Sequence, residues 1–288
     1  MTNYFKSAPP EIRGLDMMRH AATVQVNIDI FGKEEWEQSV YLMLCLVPLT
    51  RTLFANSSFF KNKKSHFYSE RQAIWDHMDP SRSGFPFDIS TCENRQKVEC
   101  AYAKWARSAY VLFIENLPND EQPKYGELTF ENWLNNGFRG TRPVLSQWKT
   151  HLSTLFPHLR LRNFLEIRHI DAQSFEHLFA PIAFFSAILK SKKTRNLTID
   201  LLQKHGINPE QLLNSSENNS SFTHLPLINL AIDIHKESGE FTAVHSLESF
   251  KRSLSERHTH TMPKTALDFV TQYATYSPGD EFIKNLKL

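Results

Sequence analysis

Residues 23–30 read TVQVNIDI. In an extended chain Val24, Val26, Ile28 and Ile30 fall on one side, and Thr23, Gln25, Asn27 and Asp29 on the other. Such strict alternation predicts a half-buried strand, whose apolar face has to be covered by another layer. From Lys33 the apolar residues move to helical spacing (Trp36, Val40, Leu44, Val47), with Glu34 and Glu35 in the first turn and Pro48 as a kink. A long core helix follows the strand. Leu159 to Arg168, LRLRNFLEIR, alternates again. It reads as a second strand with Leu161, Asn163, Leu165 and Ile167 on one side and Arg162, Phe164, Glu166 and Arg168 on the other.

Between these strands, residues 57–90 read as a long irregular loop carrying Arg71 and Arg82, with turn signals at Asp79-Pro80 and Ser83-Gly84. Helical patterns cover about 91–114 and 144–156, then 173–190, 196–204, 225–237, 246–257 and 264–275. NSSENNSS at 214–221 reads as a loop between helices. The expected fold class is α+β. It is read as a single domain over 1–288, with a largely antiparallel sheet and core helices in 1–171 and a mostly helical 172–288.

Of the 288 residues 41% are hydrophobic and 22% charged, a globular balance that needs no disulfide or metal staple. Thirty-three Lys and Arg against 31 Asp and Glu leave +2, too even for nucleic acid to be the expected partner. Three cysteines (Cys45, Cys92, Cys100) without CxxC spacing argue for a reducing compartment and against a zinc module. The apolar stretches at 41–49 and 179–189 are about half of the roughly 20 residues that cross a bilayer, so no membrane partner is expected. MTNYFKSAPPEIRG has neither an apolar h-region nor an Arg-rich leader pattern, which predicts a cytoplasmic address.

Two strands with polar faces are costly unless those faces meet water or line a ligand site. A Glu two residues from an Arg on one face suits a metal-phosphate centre, the carboxylate holding a divalent cation and the guanidinium neutralising phosphoryl oxygens. A structural ion pair would use the same residues. Glu166 and His169 also form E-x-x-H, but on a strand they face opposite sides, which disfavours a di-iron reading. His258 and His260 in HTH read as surface histidines, and Trp75, Trp105, Trp133 and Trp148 as core anchors. No GxSxG, Walker A or GxGxxG stretch occurs, so any nucleotide would have to be held by side chains and metal on a sheet.

Four blocks carry a resemblance: GLDMMRHAATVQVNIDI (14–30), LVPLTRTLFANSSF (46–59), FYSERQAIWDHMDPSRSGFPF (67–87) and QWKTHLSTLFPHLRLRNFLEIRHID (147–171). In order and spacing the chain resembles the plant and proteobacterial type of glutamate-cysteine ligase over about residues 3–190. The resemblance implies a glutamine-synthetase-like sheet funnel backed by helices. It also implies an ATP- and Mg²⁺-dependent reaction, the first step of glutathione synthesis. The side-chain carboxylate of glutamate takes the γ-phosphoryl group, and the amine of cysteine displaces phosphate.

By the same resemblance Glu166 matches the metal-binding Glu, and Arg168 the catalytic Arg at the phosphates. Thr23, Gln25 and Asn27 match substrate-lining strand positions, and Arg71 the clamp on the glutamate α-carboxylate. The block SERQAIW departs from the family's Ser-x-Arg-Ser-His-Ile-Trp at Gln72-Ala73. Family members carry a preceding segment with a Glu-x-Glu strand that holds most of the metal. The chain is therefore expected to be the C-terminal portion of a split or truncated ligase, partnered by a separately encoded N-terminal segment. The alternatives are a non-catalytic glutamate-binding or regulatory relative and a γ-glutamyl ligase of another thiol pathway.

Overall fold

The computed structural model describes residues 1–61, 63–84, 95–207 and 224–257. Two short helices, α1 (Thr2–Lys6) and α2 (Gly14–His20), lead into β1 (Thr23–Asp29), the alternating strand expected from the sequence. Gly32, at φ +89°, turns the chain into α3 (Lys33–Leu53), since a side chain there would strain the left-handed backbone. The helix continues through Pro48 to Leu53.

Residues 57–84, read as an irregular loop, hold short elements instead. These are β2 (Phe59–Phe60), β3 (Lys63–Lys64), α4 (Glu70–Asp76) and β4 (Ser83–Gly84). The Ser69 side chain caps α4 by accepting from the Gln72 amide, so a single residue fixes a helix too short to show a period. Helix α5 (Arg95–Ser108) stops before Leu112, because Tyr110 leaves the helix to bridge Thr129. Then come α6 (Phe130–Asn136), α7 (Leu145–Ser153) and β5 (Phe156–Pro157).

The segment LRLRNFLEIR is a hairpin, not one strand. Its arms are β6 (Leu159–Leu161) and β7 (Phe164–Asp171), turning at Arg162 and Asn163. Pairs Leu159 with Ile167, Arg160 with Glu166 and Leu161 with Leu165 keep the same parity in both arms, so the alternation passes through the turn unbroken. The antiparallel sheet has the order β1-β7-β6.

Its apolar face, with Val26, Leu165, Ile167 and Ile170, is buried in a core built from α3, α8 (Ala180–Leu189), α9 (Lys192–Lys204), α10 (Leu225–Glu237) and α11 (Phe241–Arg257). A 3-10 turn at Phe175–His177 precedes α8. Phe54 sits among Phe184, Phe185 and Phe250, with ring centroids 5.2–6.0 Å away. Trp75, Trp105 and Trp133 are buried as expected of core anchors, and Trp148 packs against Phe130. Cys92, His258, His260, NSSENNSS and the helix read over 264–275 lie outside the described residues. Among the described residues no helix is long and apolar enough to cross a membrane.

The register carries one irregularity. Val26 pairs with Ile167 and Val24 with Ile170, so Gln25 alone stands opposite both Arg168 and His169. This is a β-bulge in β7, and it separates two neighbouring side chains. Arg168 reaches Glu166, whereas the His169 ring meets the Thr50 hydroxyl of α3 at 2.7 Å and packs near Phe185. Glu166 and His169 thus face opposite sides, as the strand reading required.

Candidate functional site: an arginine-rich sheet face

Asn27, Glu166 and Arg160 form one cross-strand row over β1, β7 and β6. Paired residues of an antiparallel sheet project to the same face. Glu166 is the hub of that face. Its Oε1 accepts from Arg160 Nη1 at 3.3 Å and from Arg168 Nη1, and its Oε2 lies 3.2 Å from Arg162 Nε. Arg160, Glu166 and Arg168 are buried, while the Arg162 side chain is 46% exposed. Arg160 is held further by Nη2, which donates to the carbonyl oxygens of Leu155 at 2.6 Å and Ser153 at 3.2 Å. The Nε atoms of Arg160 and Arg168 are buried and have no hydrogen-bond partner.

Burial pushes the Arg160 guanidinium down to about 10, helped by the neighbouring Arg168, and it lowers Arg168 as well. Both stay charged at neutral pH. Tyr102 of α5 lies within the field of Arg160, Arg168, Glu166 and Arg162, and burial raises its phenol to about 12. It therefore remains a protonated donor.

Gln25 and Asn27 are exposed on β1. Thr23, paired with Asp171, donates its hydroxyl to the Ile170 carbonyl. Arg71 is 2% exposed and its polar partners are protein groups. Nη2 donates to the Arg168 carbonyl at 2.7 Å, Nη1 lies 3.8 Å from Asp171 Oδ1, and the guanidinium stacks 4.6 Å from the Trp75 ring. Asp171 in turn accepts from the Asn56 amide at 2.8 Å and from the hydroxyls of Ser57 at 2.7 Å and Ser69 at 2.9 Å. Gln72, the departure from the family pattern, donates to the His169 carbonyl. Arg71 and Gln72 thus serve the two successive carbonyls of the bulge.

Glu166, Arg168 and Asn27 therefore share one face, with Gln25 opposite the bulge, Thr23 at the far end of the ladder and Arg71 buried against the strand backbone. Sequence reasoning missed Arg160 and Tyr102. Arg160 had the parity of Glu166 and was legible once the hairpin is recognised; nothing in the sequence distinguishes Tyr102. Arg82, the other loop arginine, is fully buried, with its Nε 2.9 Å from Asp79 and its Nη1 3.0 Å from the Thr154 carbonyl, as a structural clamp.

These residues do not fit a Mg²⁺ ion. Both Glu166 oxygens are taken by guanidiniums, and among the described residues no three His, Cys, Asp or Glu side chains are grouped to hold a metal. They fit an anion.

The profile of glutamate-cysteine ligase family 2 matches residues 10–257. The chloroplastic glutamate-cysteine ligase of Solanum lycopersicum is 32% identical over 197 residues, 65% of this chain and 36% of that protein. The chloroplastic ligase of Arabidopsis thaliana is also 32% identical over 197 residues, with the same shares. That of Medicago truncatula is 31% identical over 209 residues, 69% of this chain and 39% of the relative. The chain spans a little over a third of the length of these relatives. Their chloroplastic setting overturns the cytoplasmic address expected from the first residues. Import signals lie outside the packed core and leave no trace in strand or helix pattern, so those residues carried no information on compartment.

Proposed function

Because the chain belongs to glutamate-cysteine ligase family 2, we propose that it takes part in ATP-dependent joining of the glutamate side-chain carboxylate to the amine of cysteine, the first step of glutathione synthesis. The carboxylate attacks the γ-phosphorus of ATP, giving γ-glutamyl phosphate and ADP. The cysteine amine then adds to the acyl carbon, and phosphate leaves as the amine loses its proton. The single observation that carries this reading is the row Asn27, Glu166, Arg160 with Arg168 beside it, a polar strip that turns guanidiniums toward one sheet face.

In this reading the exposed Gln25 and Asn27, with Thr23 at the end of the strand, line the glutamate side, and Arg168 neutralises phosphoryl oxygens as charge moves onto them. Arg71, expected as a clamp on the α-carboxylate, is buried and donates Nη2 to the Arg168 carbonyl, while its Nη1, 3.8 Å from Asp171, and its Nε have no hydrogen-bond partner. We assign it the support of the strand beneath Arg168. No step runs through Mg²⁺, for which the described residues offer no donor set. The glutamine-synthetase-like funnel remains part of the proposal: the three-stranded antiparallel sheet with helices on its apolar face is the portion that supports it.

The test is release of ADP that requires both glutamate and cysteine, with γ-glutamylcysteine identified by mass spectrometry, alongside calorimetric binding of glutamate. Glutamate binding is expected of the chain alone, and doubly dependent ADP release when it is assayed together with a ligase segment that carries the Glu-x-Glu strand. A chain that binds no glutamate and, with that segment, releases no ADP overturns the ligase reading; one that binds glutamate without turnover even then supports a binding relative.

A further inference from the structure

We infer that Glu166 serves as the anchor of an anion cradle, gathering Arg160, Arg162 and Arg168 around a phosphoryl-type oxyanion, and not as a ligand for a cation. The inference rests on the ligase reading only for the source of that oxyanion, a phosphoryl group in transfer.

Three guanidiniums share one carboxylate, so the cluster carries an excess of two positive charges within a buried sheet face. A carboxylate offers about four lone-pair directions, and here Oε1 serves Arg160 and Arg168 while Oε2 serves Arg162 and, at 3.5 Å, Arg160. A divalent cation would have to displace a guanidinium and add its own charge beside the other two. An oxyanion does the reverse. It offsets the excess and supplies acceptors for the buried Nε atoms of Arg160 and Arg168, which have none among the protein groups.

The cradle is also held in place before any ligand arrives. Arg160 is fixed by two main-chain carbonyls of the segment leading into β5. Arg168 leans on the Phe156 ring at 5.9 Å, and its own carbonyl is held by Arg71. Arg162, half exposed, and Asn27, exposed in the same row, mark the side from which an anion enters. Tyr102 of α5 lies within the field of the cluster, and burial keeps its phenol protonated.

The experiment titrates the full chain with inorganic phosphate in the presence of EDTA, followed by phosphorus NMR and calorimetry, and separately titrates it with Mn²⁺ followed by electron paramagnetic resonance. Phosphate is expected to bind without any metal. Arg168→Lys, which keeps the charge and loses the fork, should weaken it about fivefold, and Arg162→Gln, at a half-exposed position that leaves the fold intact, at least threefold. Far-UV circular dichroism checks that each variant is folded. Absence of phosphate binding to the wild-type chain, or unchanged affinity in Arg162→Gln, overturns the cradle. So does a Mn²⁺ signal in the wild type that Glu166→Gln removes. Phosphate binding that follows these expectations in a chain that binds no glutamate and, with the Glu-x-Glu segment supplied, releases no ADP would refute the ligase reading alone.

Discussion

The Arg71 guanidinium donates to the main-chain carbonyl of Arg168 at 2.7 Å, across 97 positions of sequence. That bond links α4 to the bulge that sets the direction of the Arg168 side chain. Gln72 donates to the next carbonyl, His169, so two consecutive residues of one short helix hold two consecutive carbonyls of one strand. A bulge disturbs the ladder locally, and partners of this kind keep its polar groups from being orphaned.

Removing Arg71 should therefore act first on stability. Arg71→Ala leaves the Arg168 carbonyl without that donor and Asp171 without its cation, in a setting where both side chains are 1% exposed. Loss of one member of a buried pair costs roughly 3 kcal/mol. Chemical denaturation should show a drop of about that size. Arg71→Lys should recover only part of it, because an ammonium lacks the planar fork that reaches both partners. A denaturation midpoint unchanged in Arg71→Ala would remove the helix-to-bulge tie from this account.

Acid should weaken the fold well above the pH at which carboxylates titrate. Burial lowers His169 to about 3 and His151 to about 4, and it places His158 well below its ordinary value. Arg51 and Arg71 add to this at His158 and His169. Each of these rings is neutral when folded and takes a proton near pH 6.5 when unfolded, so the unfolded chain binds more protons below that pH. Stability is then full above about pH 6.5 and falls as the pH drops toward the folded values. At pH 5 the loss is on the order of 2 kcal/mol for each histidine, from about 1.5 pH units at about 1.4 kcal/mol each. Asp171, whose carboxyl burial raises, acts in the opposite sense from about pH 3.8 upward. Melting temperatures recorded from pH 7.5 to pH 5 should fall steadily. His169→Gln should flatten part of that slope, and a flat profile in the wild type would contradict the buried neutral rings.

The first strand and the long helix were legible because each repeats one period for seven residues or more: β1 as read, and α3 through Pro48. The hairpin was not, because its two arms have matching parity and a turn leaves no mark on an alternation that it does not break. Helix α4 was hidden by its length, since seven residues behind a serine cap carry too few turns to show a stripe. The polar face of the site was visible as Glu166, Arg168 and the even spacing of Thr23, Gln25 and Asn27. Its actual charge balance was not, because Arg160 joins only through the hairpin and Tyr102 only through the docking of α5. Arg71 stood out as an arginine in a loop, yet the hydrogen bond it makes is to the main-chain carbonyl of Arg168, a partner that side-chain patterns do not announce.

The aromatic cluster at the end of α3 should be the most sensitive place in the apolar core. Phe54 is fully buried, and its ring lies 5.2 Å from Phe250 of α11 and 5.5 Å from Phe184 of α8. It joins the helix that backs the sheet to two C-terminal helices. Truncation removes the transferred apolar surface and leaves a cavity that three large rings can fill only partly. Phe54→Ala should therefore cost about 3–5 kcal/mol, and Phe54→Leu far less. Equal destabilisation by both variants would show that ring geometry matters more than volume.

Asn27 separates binding from folding. It is exposed, and it sits opposite Glu166 in the ladder with its backbone in the sheet and its side chain outside the core. A surface substitution of this kind changes stability by about 0.5 kcal/mol or less, so Asn27→Ala should melt with the wild type. If the polar face of β1 lines the glutamate side, the lost amide should weaken glutamate binding roughly tenfold, about 1.4 kcal/mol, the value of a hydrogen bond to a charged group. Phosphate affinity should stay within about twofold, because the cradle is built on β6 and β7 and on the strand turn between them. Gln25→Ala should behave in the same way with a smaller effect, since Gln25 faces the bulge and not the Glu166 row. Calorimetry with glutamate and with inorganic phosphate, run on the same folded variants, reads both quantities. Undiminished glutamate binding in the double variant Gln25→Ala, Asn27→Ala would take β1 out of the substrate site.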